Sequence, residues 1–411
     1  NLKAMSTNII LTNIKELVGV TTESTIIKKG KDQGKVGIIE NGYLIVKNGI
    51  IDDFGLMQDC PETSLDAHDC SGRLVMPMYV DSHTHLIFPE SRSAEMKMRL
   101  QGKSYQEIAE SGGGILNSAA KLHKMSEQQL YDDAQERLGN VIKQGTGAIE
   151  IKSGYGLTIE DEMKMLRVIR VLKSVSPIPI KATFLGAHAL PKEFKDNKAA
   201  YMYLVTNEML PRIAGEGLAD YIDIFCEIGY FDLDDLKQII AAGDKYGLKA
   251  KVHVNQFSTF GAVKLACEMG ALSVDHLEVM NEDDYAALKN SNTIATGLPL
   301  CSSFLDIPYT PGRQIIDQGI PLTIASDFNP GSAPSSNLNL AFGLACSQMK
   351  LTPEEAFNAL TYNASFAMEV QDEVGSIQLG KKANLVITKP ANGLEDIPYW
   401  FGDSMIGSVV V

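Results

Sequence analysis

Paired cysteines and long apolar runs are both missing from this chain of 411 residues. Its six cysteines are dispersed, and no two form a C-x-x-C pair, which excludes a disulfide framework and indicates free thiols in a reducing compartment. No apolar run approaches the roughly 20 residues of a membrane-spanning helix. The N-terminus lacks the charged, apolar and small-residue order of a signal peptide. We therefore expect a cytoplasmic protein with no membrane partner.

Basic residues are also few, with 37 Lys and Arg against 51 Asp and Glu, so the formal net charge is −14. The densest basic stretch, between Lys28 and Lys35, is short. A chain this acidic repels phosphate backbones, which excludes nucleic acid as a partner. A small anionic substrate is still allowed, because one buried arginine can bind it locally.

Short β-branched segments occur near both ends of the chain. Four of them precede residue 60, with Asn41-Gly42 and Asn48-Gly49 between them as strong hairpin signals. Two more, at Leu385–Ile387 and Val409–Val411, lie near the C-terminus. A few strands at each end do not form a stable sheet alone. We therefore expect residues 1–72 and 371–411 to pair into one small β-sandwich domain.

The middle of the chain, residues 73–370, alternates strand-like and helix-like segments. Helix starts are marked by capping signals, such as Ser126 with Gln129 and Thr352 before Pro353. Eight such units predict an α/β fold, a (β/α)8 TIM-like barrel inserted into the β domain. The predicted strands are Leu74–Asp81, Ala148–Lys152, Ile180–Leu185, Tyr221–Cys226, Leu248–Val254, Leu272–Asp275, Thr293–Thr296 and Leu322–Ser326.

Five of the seven histidines lie at the C-terminal ends of predicted strands, and one aspartate does so after the eighth strand. Buried packing explains any single histidine, but five separately buried imidazoles would need five sets of partners. Three imidazoles and a carboxylate with an open position form a catalytic metal site. Such a metal makes hydroxide available near neutral pH. The residues are His83, His85, His188, His253, His276 and Asp327.

The order of these residues resembles the amidohydrolase superfamily and, within it, the imidazolonepropionase family. The paired histidines are common to the superfamily, whereas the K-S-G-Y-G-L and S-D-F-N-P segments are more specific to the family. The resemblance covers nearly the whole chain. The segments that carry it are Asp81–His85, Ser111–Ile115, Lys152–Leu157, Gly186–His188, Asp275–Glu278 and Ser326–Gly331.

The resemblance implies a role for each matching residue. The implied metal ligands are His83, His85, His253 and Asp327, and the ion would be zinc or iron. The implied substrate contacts are Arg92 for a carboxylate, Tyr155 and His188 for an imidazolone ring, and Asn329, Gly331 and Ser332 in the loop after strand eight. A guanidinium suits a carboxylate because it donates two parallel hydrogen bonds.

One position departs from the family pattern. Family members carry an acid either three residues after the strand-five histidine or just before that position, but this chain has Gln256 and Asn255 there. Gln256 can orient substrate or water, yet an amide cannot act as a base. We therefore assign proton transfer to Asp327 and stabilisation of the developing oxyanion to His276, with Gln256 as an orienting group.

The activity that the resemblance implies is hydrolysis of 4-imidazolone-5-propanoate to N-formimidoyl-L-glutamate in histidine degradation, by an enzyme that takes a small anionic imidazolone substrate. It also implies a homodimer. The alternatives are another cyclic-amide hydrolase, an aminoazole deaminase, or a barrel kept as a binding scaffold. Predicted strand four has no lysine that could bridge two ions, which favours one metal per chain. None of the implied ligands is missing, which argues against a scaffold.

Overall fold

The computed structural model describes residues 7–104, 107–108 and 112–411. Ser111, which begins one of the segments quoted above, lies outside them. The strands are β1 (Ile9–Val18), β2 (Ile38–Lys47), β3 (Ile50–Leu56), β4 (Ala67–Asp69), β5 (Arg73–Pro77), β6 (Tyr79–Asp81), β7 (Thr146–Lys152), β8 (Ile180–Ala187), β9 (Tyr221–Cys226), β10 (Lys249–Val254), β11 (Ser273–His276), β12 (Ile294–Gly297), β13 (Leu322–Ile324), β14 (Leu385–Pro390) and β15 (Ile406–Val410).

Helices follow most of the strands in the middle of the chain. They are α1 (Ser93–Leu100), α2 (Gly114–Leu122), α3 (Glu127–Lys143), α4 (Ile159–Val175), α5 (Lys198–Leu204), α6 (Leu210–Gly215), α7 (Leu233–Asp244), α8 (Ala262–Glu268), α9 (Glu282–Lys289), α10 (Pro299–Leu305), α11 (Gly312–Asp317), α12 (Leu338–Ser347), α13 (Pro353–Leu360), α14 (Tyr362–Ala367) and α15 (Asp396–Tyr399). None of the described helices is long and apolar enough to cross a bilayer.

The capping signals act where the sequence predicts them. The Ser126 hydroxyl accepts the Gln129 backbone N–H at the start of α3, and the Gln129 side chain accepts the Ser126 N–H. Leu130, Ala134 and Leu138 of this helix are buried at a spacing of four residues. A helix with this spacing presents one apolar stripe, which here packs in the main core.

Eight parallel strands, β6 to β13, pair in chain order and form the barrel. The ends of the sheet meet just beyond β6 and β13. There the Asp327 N–H donates to the His83 carbonyl at 3.0 Å, and the His85 N–H donates to the Phe328 carbonyl at 2.9 Å. The predicted α/β barrel is confirmed, and its first and last strands are joined at the paired histidines.

The two chain ends share one separate seven-stranded sheet, in the order β15-β14-β5-β1-β2-β3 with β4 beside β1. It is mixed rather than purely antiparallel, since β4 and β5 run parallel to β1. Ile51 of β3 and Leu385 of β14 share one buried cluster, and the Ile51 N–H donates to the Lys381 carbonyl. The sheet therefore curls over its own core.

The predicted first barrel strand, Leu74–Asp81, is divided in the structure. Its first part, β5, belongs to the end sheet, and its last three residues form β6 of the barrel. The chain passes from one sheet to the other at Met78, whose N–H donates to the Asn384 carbonyl. The division of the chain at residues 72 and 370 stays a prediction.

The hairpin predicted at Asn41-Gly42 is wrong. Both residues lie inside the continuous strand β2, where Asn41 has φ +47°. The register with β1 is kept on both sides of Asn41, and the shift in this ladder lies between Leu11 and Ile14 of β1. An asparagine can take the left-handed conformation without reversing the chain, and the long partner β1 keeps the strand running. Asn48-Gly49 does turn, with φ values of +52° and +74°, and joins β2 to β3.

Candidate active site

Four predicted ligands converge at the carboxyl ends of the barrel strands, where all four side chains are buried. The Nε2 atom of His253 lies 3.1 Å from Nε2 of His83 and 3.3 Å from Nε2 of His85. Asp327 Oδ1 lies 3.5 Å from each of the two paired histidines. Tetrahedral bonds of about 2.0–2.1 Å to a metal would separate the ligand atoms by about 3.3 Å. The spacing of the four groups therefore fits one ion.

A buried carboxylate orients one of the three candidate ligand imidazoles, and a second imidazole lies beside another carboxylate. His83 Nδ1 donates to Asp275 Oδ2 at 2.6 Å, and His253 Nδ1 lies 2.9 Å from Asp223 Oδ2. The bond at His83 Nδ1 leaves its Nε2 with a lone pair for a metal, whereas His253 Nδ1 makes no hydrogen bond within the described part of the chain. Burial, and then the Lys152 charge, hold the pKa values of His83 and His253 well below their usual range. A metal cation between these nitrogen atoms would be bound by their lone pairs, so the donor set fits a metal ion.

Charged side chains inside the barrel support these carboxylates, and the sequence analysis missed them. Lys152 Nζ lies 2.7 Å from Glu150 Oε1 and 2.9 Å from Asp223 Oδ2, with all three side chains fully buried. Lys251 Nζ lies 3.4 Å from Glu150 Oε2. The spacing of two residues between Glu150 and Lys152 puts both on the inner face of β7. That alternation was the available signal, but it does not show which partner each charge meets.

Tyr155, in the loop after β7, and His188, directly after β8, lie side by side above the candidate ligands. Their ring centroids lie 5.4 Å apart, and His188 stacks on His85 at 5.2 Å. His188 Nδ1 donates to the Gly154 carbonyl at 2.8 Å, and burial lowers the pKa of this imidazole to about 4. Its Nε2 is therefore an acceptor at neutral pH.

Glycines in this loop allow its close approach to the site. Gly154 has φ +108°, and a Cβ there would lie 2.9 Å from His188 Nδ1. The buried Glu162 carboxylate accepts the N–H groups of Gly154, Gly156 and Leu157. The K-S-G-Y-G-L segment is therefore a loop folded around one acid from α4.

His276 at the end of β11 pairs with Glu278, a residue to which the sequence analysis gave no role. His276 Nδ1 lies 3.0 Å from Glu278 Oε1, and both side chains are buried. Burial opposes charging the ring, but the Glu278 carboxylate overcomes it and raises the pKa of His276 to about 9. His276 also has φ +92°, a strained backbone of the sort that occurs at functional sites. The pair can present a proton to a neighbouring oxygen.

The loop after β13 is organised by Asn329. Its Oδ1 accepts the N–H groups of Gly331 and Ser332, both at 2.8 Å, and its Nδ2 donates to the Asp327 carbonyl and to Ser332 Oγ. Ser332 Oγ in turn lies 3.3 Å from Asp327 Oδ2. Asn329 therefore shapes the loop as well as facing the cavity.

Arg92 lies behind this loop, and not in the cavity wall. Its Nε and Nη2 donate to Glu95 Oε2 at 2.9 and 2.6 Å. A Cβ on Gly331 would lie 2.1 Å from Arg92 Nη1, so the guanidinium packs directly against the glycine. Glu95 Oε1 accepts the Gly114 N–H at 2.9 Å, which connects the arginine to the glycine-rich segment.

Gln256 faces the cavity, whereas Asn255 points away from it. Gln256 Nε2 donates to Cys301 Sγ at 3.4 Å, a buried thiol that the sequence analysis did not assign. Asn255 Nδ2 donates to the Val279 carbonyl and to Asp284 Oδ2. Apart from Ile115 and Phe225, the residues that line the cavity are all predicted site residues: His85, Tyr155, His188, His253, Gln256, His276, Asp327, Asn329 and Ser332.

Comparison with known proteins gives one family and a consistent set of relatives. Residues 74–411 match the model of the amidohydrolase family. The imidazolonepropionase of Christiangramia forsetii is 50% identical over 404 residues, which cover 98% of each chain. That of Flavobacterium johnsoniae is 49% identical with the same coverage, and that of Thermoanaerobacter pseudethanolicus is 36% identical over 99% of this chain and 97% of its own.

Solved structures share the fold at low identity. Guanine deaminase of E. coli superposes with a TM-score of 0.72 at 13% identity, over 99% of both chains. The 5-methylcytosine deaminase of Klebsiella pneumoniae gives 0.71 at 15% identity, over 98% of this chain and 97% of its own. At this identity the likeness shows a common architecture alone.

Proposed function

Since this chain belongs to the amidohydrolase family and, by its identity to curated relatives, to the imidazolonepropionases, we propose that it hydrolyses the cyclic amide bond of 4-imidazolone-5-propanoate to N-formimidoyl-L-glutamate, a step of histidine degradation. The observation that carries this is 50% identity over 98% of the chain, together with four ligand groups spaced for one ion. The deaminase alternative rests on fold likeness at 13–15% identity, which says nothing of substrate.

The ion would be held by His83, His85, His253 and Asp327. Three nitrogens and one oxygen suit zinc or iron, and affinity order does not decide between them. When bound, such an ion acidifies a water molecule and polarises a carbonyl, which supplies a nucleophile at neutral pH.

Asp327 is our candidate for proton transfer. Its Oδ1 faces the ligand histidines, while its Oδ2 is turned toward Ser332 Oγ at 3.3 Å. The oxygen that does not face the histidines can take a proton and return it later in the reaction. The proton would go to the ring nitrogen that departs when the amide bond breaks. Gln256 would hold the substrate by hydrogen bonding, because its amide has no basic atom.

His276 would donate a hydrogen bond to the carbonyl oxygen as negative charge develops there. The neighbouring Glu278 supports the protonated ring, and a donor fixed in a buried site stabilises an oxyanion more than water does. Tyr155 and His188 would contact the imidazolone ring, with the His188 Nε2 lone pair as an acceptor.

Arg92 would hold the propionate carboxylate from behind Gly331. Its Nε and Nη2 donate to Glu95, and its Nη1 packs against Gly331, so the carboxylate would be held where the guanidinium meets the loop after β13. This arrangement predicts that the arm of the substrate lies along the loop after β13.

Two further expectations belong to the same proposal. We propose a cytoplasmic location, which six free cysteines favour, and a homodimer, which the family resemblance implies. The described apolar residues Tyr399, Trp400 and Phe401 are exposed and give one surface to examine for the dimer.

The test of the function is loss of the imidazolone absorbance on addition of purified protein. We expect turnover that a chelator abolishes and that zinc or iron restores, with elemental analysis identifying the ion in untreated protein. Turnover that persists after complete removal of metal, or no turnover at any metal loading, would contradict the proposal.

A further inference from the structure

A second group of metal-binding side chains lies beside the first and shares no residue with it. His276, Glu278 and Cys301 each offer one ligand atom, and these atoms all lie within 4.8 Å of one another. His276 and Glu278 come from the end of β11 and the residues after it, and Cys301 comes from α10. Their side chains are 2%, 3% and 0% exposed.

One carboxylate oxygen of this group is left without a hydrogen-bond donor among the described residues. Glu278 Oε1 pairs with His276 Nδ1, but Glu278 Oε2 is buried and accepts no hydrogen bond within the described part of the chain. A buried carboxylate oxygen without a hydrogen-bond donor destabilises the fold. An additional cation at this position would satisfy it.

The donor set indicates which cation. Imidazole nitrogen, carboxylate oxygen and thiolate sulfur together are the ligands of zinc and of similar borderline-soft ions, and they differ from the oxygen sets of magnesium and calcium. Cysteine binds such an ion as the thiolate, so binding must expel the thiol proton of Cys301. It must also break the pair between His276 and Glu278. Both costs make such a site weaker than the first.

We propose that His276, Glu278 and Cys301 form a second, weaker site for a zinc-like divalent cation, and that filling it inhibits the enzyme. The inhibition rests on the proposed function, because it follows from the use of His276 on the substrate carbonyl. An ion on His276 removes its proton and places positive charge beside Gln256, which lies 3.4 Å from Cys301 Sγ.

Cobalt provides a probe that reports this site separately from the first. The first ligand set contains no sulfur, so a thiolate-to-cobalt absorption band arises only from a cysteine. Purified protein with one ion per chain is titrated with Co²⁺. We expect a band that saturates at one further equivalent in the wild type, is lost in Cys301→Ser, and is kept in Cys267→Ser, whose thiol is also buried but lies in α8.

A second variant that keeps the thiol provides a test that does not depend on whether Cys301→Ser folds. Glu278→Gln retains Cys301 and removes a ligand oxygen, and we expect the band to need at least tenfold more Co²⁺. Excess Zn²⁺ should slow turnover of the wild type and of Cys267→Ser, and at least tenfold more Zn²⁺ should be needed for Cys301→Ser. A band that is absent in the wild type, or that survives Cys301→Ser, would refute the second site.

The two proposals fail separately. Turnover without a cobalt–thiolate band removes the second site and leaves the function in place. A band without turnover of the imidazolone removes the function and leaves the site.

Discussion

Replacing Gly331 by alanine should separate substrate anchoring from the rest of the site. The new Cβ would lie 2.1 Å from Arg92 Nη1, whereas ordinary carbon–nitrogen contacts are about 3.5 Å. The guanidinium would have to retreat by more than 1 Å, although two hydrogen bonds to Glu95 resist that movement. Gly331 has no positive φ, so the backbone itself accepts alanine.

The expected cost follows from the contact that is lost. A hydrogen bond to a charged group contributes about 1.5–3 kcal/mol, which corresponds to about 10- to 100-fold in affinity. If Arg92 holds a carboxylate that does not react, substrate and transition state lose it equally, so KM should rise by this factor while kcat changes little. Steady-state rates on the imidazolone, and on an analogue without the propionate arm, measure it.

Gly139→Ala is the matched control. Gly139 lies within α3, and a Cβ there meets nothing within 4 Å, so kinetics should stay at the wild-type values. A KM for Gly331→Ala within twofold of the wild type would refute the anchoring role. An equal rise in KM for the analogue without the arm would also refute it, since that substrate has no carboxylate to lose.

Three further results follow from the site. Asp275→Asn keeps the shape of the side chain but weakens its hydrogen bond with His83 Nδ1, so metal affinity should fall about 10- to 100-fold. The metal retained after dialysis measures this, and unchanged retention would contradict the orienting role. Lys152→Met leaves Glu150 and Asp223 without their buried cation and should lower the free energy of unfolding by about 3–5 kcal/mol. Unfolding in urea measures this, and a loss under about 1 kcal/mol would show that the three charges are not coupled. Metal-free protein should unfold at a lower temperature than metal-loaded protein, because an ion that binds the folded state stabilises it. Thermal unfolding of the two forms measures this, and equal unfolding temperatures would contradict the metal site.

The sequence could predict the barrel, and the strand-end positions of the candidate ligands that the family resemblance implies, because both positions and fold follow from local order. A strand places its last residue at a known edge of the sheet, so His253 and Asp327 could be brought together with His83 without knowledge of any contact. The hairpin at Asn41-Gly42 failed because the local preference for a left-handed residue does not distinguish the interior of a strand from a turn, and pairing with β1 decided it.

The supporting residues were harder to find, since their importance lies in partners that are distant in sequence. Asp223 sits 30 residues before His253, and Asp275 lies 192 residues after His83. Asp275 lies in a segment that carries the family resemblance, but that segment does not show that its carboxylate meets His83. Cys301 gave no signal either, because a thiol in an apolar helix reads as packing until Gln256 and Glu278 are seen beside it.

The closure of the barrel has a mechanical consequence. The hydrogen bonds that join the first and last strands run through the backbones of His83, His85 and Asp327, which are also the residues that would grip the ion. The barrel closure and the candidate metal site therefore use the same residues, and a bound ion would cross-link the first and last strands. Any fluctuation that separates these two strands also moves the candidate ligands apart. Loss of the ion and opening of the barrel should therefore promote each other.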